Sequence, residues 1–328
     1  MSIMSHKLEK LSMIKIDTQL VSDAIVACET GGPAKEESAR LIEFMLEKLP
    51  ELPEWEWKVV ATETPFYIKL APKFYCIGIG DCHFMDAIGM IHAEWKTKGA
   101  PKLTREGKPY KGQDEESWLD DISNDVQVAV YALAAQQGIF LENEEEISFG
   151  VDAPRVMVRA CVKSSPPEVW PRNHEDGLHT FSQVALDSTK NALLVKCKQI
   201  RAARESKLIP WNLVGGQCEN KYRTICEFRE EICKKHLNPL SRWGHKTESL
   251  EEMVEGRRKW YERLKVDPND PEVVMLSPSK YTDYTWCMER GRQLYEGTEG
   301  AERESSFEQG IGTGYHAGLA AIYKQWPK

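Results

Sequence analysis

An α/β fold is what this sequence predicts, and three observations carry that expectation. Residues 55–70 and 147–163 alternate apolar and polar side chains, and two short apolar runs, Phe74 to Ile79 and Gly89 to Ala93, lie between them. Residues 18–49, 118–138 and 180–205 instead repeat their apolar side chains at helical spacing, so strand and helix patterns interleave along one chain. The third observation is size and composition. A chain of 328 residues, 41% hydrophobic and 29% charged, can bury a full core and hold one large or two small domains.

The first helical stretch places Leu20, Ile25 and Ala27 on one face. After a Gly31-Gly32-Pro33 break it resumes with Ala39, Leu41, Ile42, Met45 and Leu49. WEWKVVATETPFYIKL follows, rich in β-branched and aromatic residues, as a strand that carries Glu63. The two apolar runs come next, separated by a polar bend, as a β-hairpin. From Lys98 to Ser117 the composition turns polar, with Gly, Pro and Lys and no period, which reads as a loop. In the helix over 118–138, Ile122, Val126, Val130, Leu133 and Ala134 share a face, and Gln127 and Tyr131, four apart, share another. The alternating stretch to Lys163 puts Arg159 and Lys163 on one strand face, an expected phosphate contact to DNA. The helix from 180 to 205 carries Lys190, Lys196, Lys198, Arg201 and Arg204 and reads mostly as a solvated face.

Chemistry concentrates on the hairpin. Asp81 closes its first run, while Glu94 and Lys96 lie two apart on the second and so project to the same side. Two carboxylates converging from neighbouring strands make a hard-oxygen site for Mg²⁺ or Mn²⁺, and an adjacent ammonium can orient a water and stabilise charge on a phosphate. That combination suits phosphodiester hydrolysis. The same three residues also fit a solvated strand edge with a weak salt bridge.

Gly78-Ile-Gly-Asp81 followed by Glu94-Trp-Lys96-Thr resembles the metal-binding hairpin of PD-(D/E)XK nucleases, in particular the RecB-like branch, with Glu where a second Asp is more frequent. Gln127-Val-Ala-Val-Tyr131 is similar to the Gln-x-x-x-Tyr element of that branch. The resemblance implies a restriction-endonuclease-like fold, a mixed central sheet flanked by helices. It assigns metal binding to Asp81 and Glu94, water orientation to Lys96, and substrate or water contacts to Gln127 and Tyr131. Glu63 resembles an acid often found in the preceding strand, or is a surface residue.

Three further thiols, Cys218, Cys226 and Cys233, fall within sixteen residues, a spacing that can converge on one metal but is not the paired spacing of zinc sites. Their arrangement resembles the cysteine trio of the AddB-like iron–sulfur exonuclease branch, whose fourth cysteine lies near the amino terminus. Here only Cys28 stands near that end. The family's opening segment is instead resembled by Ser277-Pro-Ser279 through Cys287 and by Gly310 through Tyr323, which includes His316. The chain therefore looks like a circularly permuted member of the family. Residues 18–233 would form the core in the usual order, 234–275 the connection and 276–328 the relocated segment, all within a single nuclease domain. Cys218, Cys226, Cys233 and Cys287 would hold a 4Fe–4S cluster, with zinc as the other reading. His316 would join Asp81 and Glu94 at the Mg²⁺ or Mn²⁺, from the same chain or a neighbouring subunit. Cys76, Cys82, Cys161 and Cys197 read as buried small hydrophobes.

The formal net charge of −8 argues against a generic nucleic-acid coat, although a local basic surface can coexist with an acidic exterior. No run approaches a membrane span. MSIMSHKLEKLSMIKID lacks a secretory h-region, so a cytoplasmic protein is expected. The expected function is a DNA exonuclease without sequence specificity, serving recombination, repair or phage DNA processing. No phosphate loop is present in the sequence, so a helicase motor would be a partner protein. The alternative is a non-catalytic DNA-binding or assembly module that keeps the fold and cluster.

Overall fold

The computed structural model describes residues 16–28, 32–142, 145–206, 255–267, 270–286 and 307–326. Helices α1 (Thr18–Val26) and α2 (Gly32–Lys48) open the chain, followed by strands β1 (Lys58–Ala71), β2 (Phe74–Met85) and β3 (Met90–Gly99). Helices α3 (Glu115–Ser123) and α4 (Val126–Gln137) precede β4 (Ile139–Glu142), β5 (Glu145–Ile147), β6 (Arg155–Lys163), β7 (Glu168–Trp170) and β8 (Leu178–Thr180). Then come α5 (Gln183–Ser206), α6 (Glu255–Leu264), β9 (Val274–Leu276), α7 (Pro278–Trp286) and α8 (Phe307–Lys324). The strands form one sheet in the order β5-β4-β1-β2-β3-β6-β7, with β8 on β6 and β9 on β2. β2 and β3 pair antiparallel while β3 and β6 pair parallel, so the fold is α/β with a mixed central sheet.

The hairpin forms because its bend is chemically specified. Asp86 Oδ1 accepts the amides of Ile88 and Gly89 at 2.8 and 2.9 Å, and Gly89 takes φ +148°, which a side chain would resist. Arg155 at the start of β6 grips the same carboxylate with both terminal nitrogens, at 2.8 and 2.6 Å, tying the turn to the next strand. β2 continues past Asp81 to Met85, so Asp81 lies inside its strand rather than at the end of a short run.

Two compact units divide the chain: Met1–Phe66, Ile79–Leu186 and Glu304–Lys328 make one, Tyr67–Gly78 and Asp187–Arg303 the other. In the first, α1, α2 and α8 share a core with the side chains Cys82, Phe84, Ile91, Ala93, Trp95, Met157 and Cys161 of β2, β3 and β6. Side chains of opposite parity, His83, His92 and Glu94, belong to the face that meets α4. β6 is consequently buried along nearly its whole length, Arg155 and Arg159 included. In the second unit, Tyr75, Ile77, Tyr261, Val273 and Met275 form a smaller core, and β9 pairs parallel to the start of β2.

The expected single helix over 118–138 is two helices. Asp125 interrupts it as an N-cap, accepting the Gln127 amide at 2.8 Å and restarting the helical direction. The short strands β4, β7, β8 and β9 have too few residues to show a period and were not expected. Cys76, Cys82, Cys161 and Cys197 are fully buried free thiols, as expected. On α5, Arg201 stacks over Phe74 and Arg204 donates to the Val273 carbonyl at 2.7 Å, so these two cations serve packing rather than solvent.

Candidate active site

The paired ladder between β2 and β3 runs from Met85↔Met90 to Cys82↔Ala93. Just beyond it the Trp95 amide donates to the Asp81 carboxylate, at 2.9 Å, in place of a backbone partner. A cavity of about 790 Å³ opens there, lined by residues of β1, β2, β3, α1, α4 and α8 within the first unit. Glu63, Asp81, Glu94, Lys96, Gln127, Tyr131 and His316 all line it. The hairpin and Gln-x-x-x-Tyr residues singled out in the sequence are therefore brought together, and His316 joins them within one chain.

One ligand atom each from Glu63, Asp81 and His316 lie within 4.8 Å of one another. His316 Nδ1 sits 3.3 Å from Asp81 Oδ2. Glu63 is held at φ +48°, the left-handed region, inside an extended strand. Burial and then the charge of Asp81 push its carboxyl up to about 7. Glu94 is 3% exposed, and the same two causes push it up to about 7 despite the opposing Lys96. Burial works against a charged His316, yet its bond to Asp81 and the fields of Glu94 and Glu63 raise its pKa.

Lys96 Nζ donates to Glu94 Oε1 at 2.7 Å and to Gln127 Oε1 at 2.8 Å, confirming that Glu94 and Lys96 share a strand face. Gln127 Nε2 donates to Glu94 Oε1 at 2.7 Å and to Tyr131 Oη at 2.8 Å. Both ends of the Gln127 amide are thus engaged by protein groups. Glu94 Oε1 takes two hydrogen bonds, while Glu94 Oε2 is buried without a hydrogen-bond partner among the described residues. Lys96 stays cationic: burial opposes the charge, but Glu94 outweighs it and raises the pKa. Tyr131 lies against the buried His92 ring, centroids 4.2 Å apart, and His92 Nδ1 approaches His83 Nδ1 at 3.4 Å. Burial pushes both imidazoles down, His83 to about 4, so they are neutral packing partners beneath the site.

Arg159 and Lys163 do not join this constellation. Arg159 is 1% exposed, donating to Glu54 Oε1 at 2.6 Å and to the His174 carbonyl at 3.2 Å. The expected phosphate contact is corrected here, because a guanidinium sealed against a buried carboxylate has no face to offer DNA. Lys163 is partly buried in the field of Glu37, and burial lowers its pKa. Cys218, Cys226, Cys233 and Cys287 lie outside the described residues.

The cavity also draws on Thr313, Ala317, Ala320, Ala321 and Lys324 of α8, which the sequence reading passed over. Their spacing from His316, at −3, +1, +4, +5 and +8, is one helical stripe and was the available signal. Scans of the chain against protein-family models, curated proteins and solved structures returned no match.

Proposed function

We propose that this protein is a divalent-metal-dependent nuclease that hydrolyses DNA phosphodiesters without reading sequence, on a restriction-endonuclease-like variant of the α/β fold. The observation that carries the proposal is the donor set: Glu63, Asp81 and His316 with one ligand atom each within 4.8 Å of one another, and Glu94 outside that triad but lining the same cavity. These groups fit a hard dication. Without one, burial first and the charge of Asp81 second push the Glu63 and Glu94 carboxyls up to about 7. An oxygen-rich set with one imidazole suits Mg²⁺ or Mn²⁺. Held by Asp81, Glu94, Glu63 and His316, such an ion would supply Lewis-acid charge to a phosphoryl oxygen and acidify a water.

The chain's own groups do the remaining work. Two of the three Lys96 donors are held by Glu94 and Gln127, which aims the ammonium and leaves the third for a water or a non-bridging phosphate oxygen. Its raised pKa makes it a donor and charge stabiliser rather than a base. Gln127 and Tyr131 position Glu94 and Lys96, beside the substrate or water contact expected for them from the cavity wall. Backbone-directed recognition follows from the absence of any base-reading motif in the sequence.

The circular permutation is supported by the ends of two helices. Gln325, just past α8, accepts the Asp17 amide at 2.6 Å, and Asp17 is the N-cap of α1. In the unpermuted family order, 276–328 would run directly into residue 18, and that junction is where these two residues meet. By resemblance the activity is exonucleolytic, and a motor, where unwinding is needed, would be a separate partner protein. Cys218, Cys226, Cys233 and Cys287 remain the proposed cluster ligands.

The test is cleavage of end-labelled linear single- and double-stranded DNA by anaerobically purified protein with Mn²⁺, Mg²⁺ or chelator. Metal-dependent digestion that falls by about 10²–10³-fold in Lys96→Ala is expected. No digestion by the wild type, with DNA binding indifferent to chelator, would overturn the proposal in favour of a binding module.

A further inference from the structure

Several basic side chains on the surface of this acidic protein have carboxylate partners, among them Arg40 with Glu37, Lys48 with Glu51, Lys73 with Asp270 and Arg172 with Glu115. The segment Ala100 to Gln113 differs. It holds Lys102, Arg105, Lys108 and Lys111, one cation every third residue, against the single carboxylate Glu106. None of the four cations forms an ion pair among the described residues, and all are exposed. Two large apolar side chains are displayed with them, Leu103 at 58% and Tyr110 at 52% exposure.

The segment is not the shapeless loop its composition predicts. The Tyr110 amide donates to the Lys102 carbonyl at 2.9 Å, the Thr104 amide to the Lys108 carbonyl at 2.7 Å, and Leu103 bridges Pro109 antiparallel. Thr104 Oγ1 accepts the Glu106 and Lys108 amides at 3.3 Å each and ties the tip, while Gln113 Oε1 accepts the Lys102 amide at 2.7 Å and ties the base. A small preformed hairpin thus holds its cations ready, so little backbone order must be gained on binding. It leaves β3 directly after Gly99, three residues and about 10 Å of strand beyond Lys96. At ~3.4 Å per stacked nucleotide, that is about three nucleotides from the cavity.

We propose that this hairpin is the polynucleotide-holding element of the protein, and that its ligand is single-stranded nucleic acid. The inference rests on the nuclease reading and deepens it. Four exposed cations gathered on one short hairpin suit a phosphate backbone, and in a chain of net charge −8 they mark where a polyanion approaches without repulsion. A half-exposed phenol ring among them is a stacking platform for an unpaired base, which a duplex does not offer. Continuity with β3 delivers the held strand toward the Asp81–Lys96 cavity.

The experiment is fluorescence anisotropy of a labelled single-stranded 20-mer, with Ca²⁺ replacing Mg²⁺, across a KCl series. It compares the full-length wild type, the quadruple variant Lys102→Gln, Arg105→Gln, Lys108→Gln, Lys111→Gln, and Tyr110→Ala. The quadruple variant is expected to flatten the slope of log affinity against log salt by about 3, at ~0.7 per lost phosphate contact. Tyr110→Ala is expected to weaken binding about 5- to 50-fold with the slope unchanged, and to spare a blunt duplex. Wild-type slope in the quadruple variant, or wild-type affinity in Tyr110→Ala, overturns the proposal. So does wild-type protein that ignores the oligonucleotide but binds phosphatidylserine vesicles through these cations. Hydrolysis of bis(p-nitrophenyl) phosphate by the wild type with Mn²⁺ is measured separately. Its absence defeats the nuclease reading, while the salt slopes still decide what the hairpin holds.

Discussion

Glu94 and Arg159 are both buried charged residues, and their partners give them opposite meanings. Glu94 has one oxygen anchored by Lys96 and Gln127 and the other buried without a hydrogen-bond partner among the described residues, beside a cavity that Glu63 and Asp81 also line. Such an arrangement is costly without a cation. Between about pH 4.5 and 7 the native protein holds protons on Glu63 and Glu94 that the unfolded chain has released, so metal-free stability falls as pH rises across that window. Mn²⁺ should therefore raise the melting temperature more at pH 8 than at pH 5.5; equal shifts in a thermal scan would count against a metal bound by these groups. Arg159 is paired with Glu54, both side chains 1% exposed, although Glu54 Oε2, like that of Glu94, lacks a hydrogen-bond partner among the described residues. Arg159→Ala should cost about 3–5 kcal/mol in urea denaturation, because it strands the Glu54 charge, and should leave the salt dependence of DNA binding unaltered. The sequence placed Arg159 on a strand face correctly but could not say whether that face met solvent or Glu54, since period two does not distinguish the sides of a doubly covered sheet.

Single elements bring these residues into register. The β2–β3 hairpin depends on Asp86, whose pKa the Arg155 guanidinium and the Gly89 and Ile88 amides hold down at about 2. A depressed carboxyl stabilises the fold above its unfolded value near 4 and loses that contribution as pH falls toward 2. Asp86→Ala should thus lower stability by on the order of 1 kcal/mol at pH 7, and the gap from wild type should close in acid denaturation below about pH 3. Helix α8 brings His316 to Asp81 by lying close on α2. A side chain at Gly314 would set a Cβ 2.5 Å from Ser38 Oγ and 2.9 Å from Ser38 Cβ. Gly314→Ala should cost about 1–3 kcal/mol by overpacking, and should weaken Mn²⁺ binding in calorimetry by displacing His316. The hairpin was legible because alternation and a polar bend are local signals. The break at Asp125 was not, because the apolar period continues across it while a single capping side chain turns the backbone.

Across the whole molecule, the mixed sheet joins strands that are local neighbours with strands that are distant in sequence. The β3–β6 parallel pair needs the long crossover through α3 and α4, and it is that crossover which brings Gln127 and Tyr131 over Glu94. No described helix is long and apolar enough to cross a membrane. Among the cysteines, the four buried ones are accounted for by packing, and Cys287→Ser offers a test of the proposed cluster. Anaerobically purified wild type should be brown with broad absorbance near ~400 nm, and the variant should lose that absorbance; a colourless wild type containing zinc would remove the iron–sulfur expectation. The α/β class, the hairpin, the shared face of Glu94 and Lys96, and the pairing of Gln127 with Tyr131 were readable from the chain alone. Each depends only on spacings of two to four residues, which backbone geometry converts directly into a face. The resemblance had placed His316 beside Asp81, but its arrival from the same chain, the convergence of Glu63 on the pair, the inward turn of Arg159 and the folding of the basic loop into a hairpin came from tertiary packing. Those outcomes depend on which surfaces from opposite parts of the chain cover one another, and no local period encodes that.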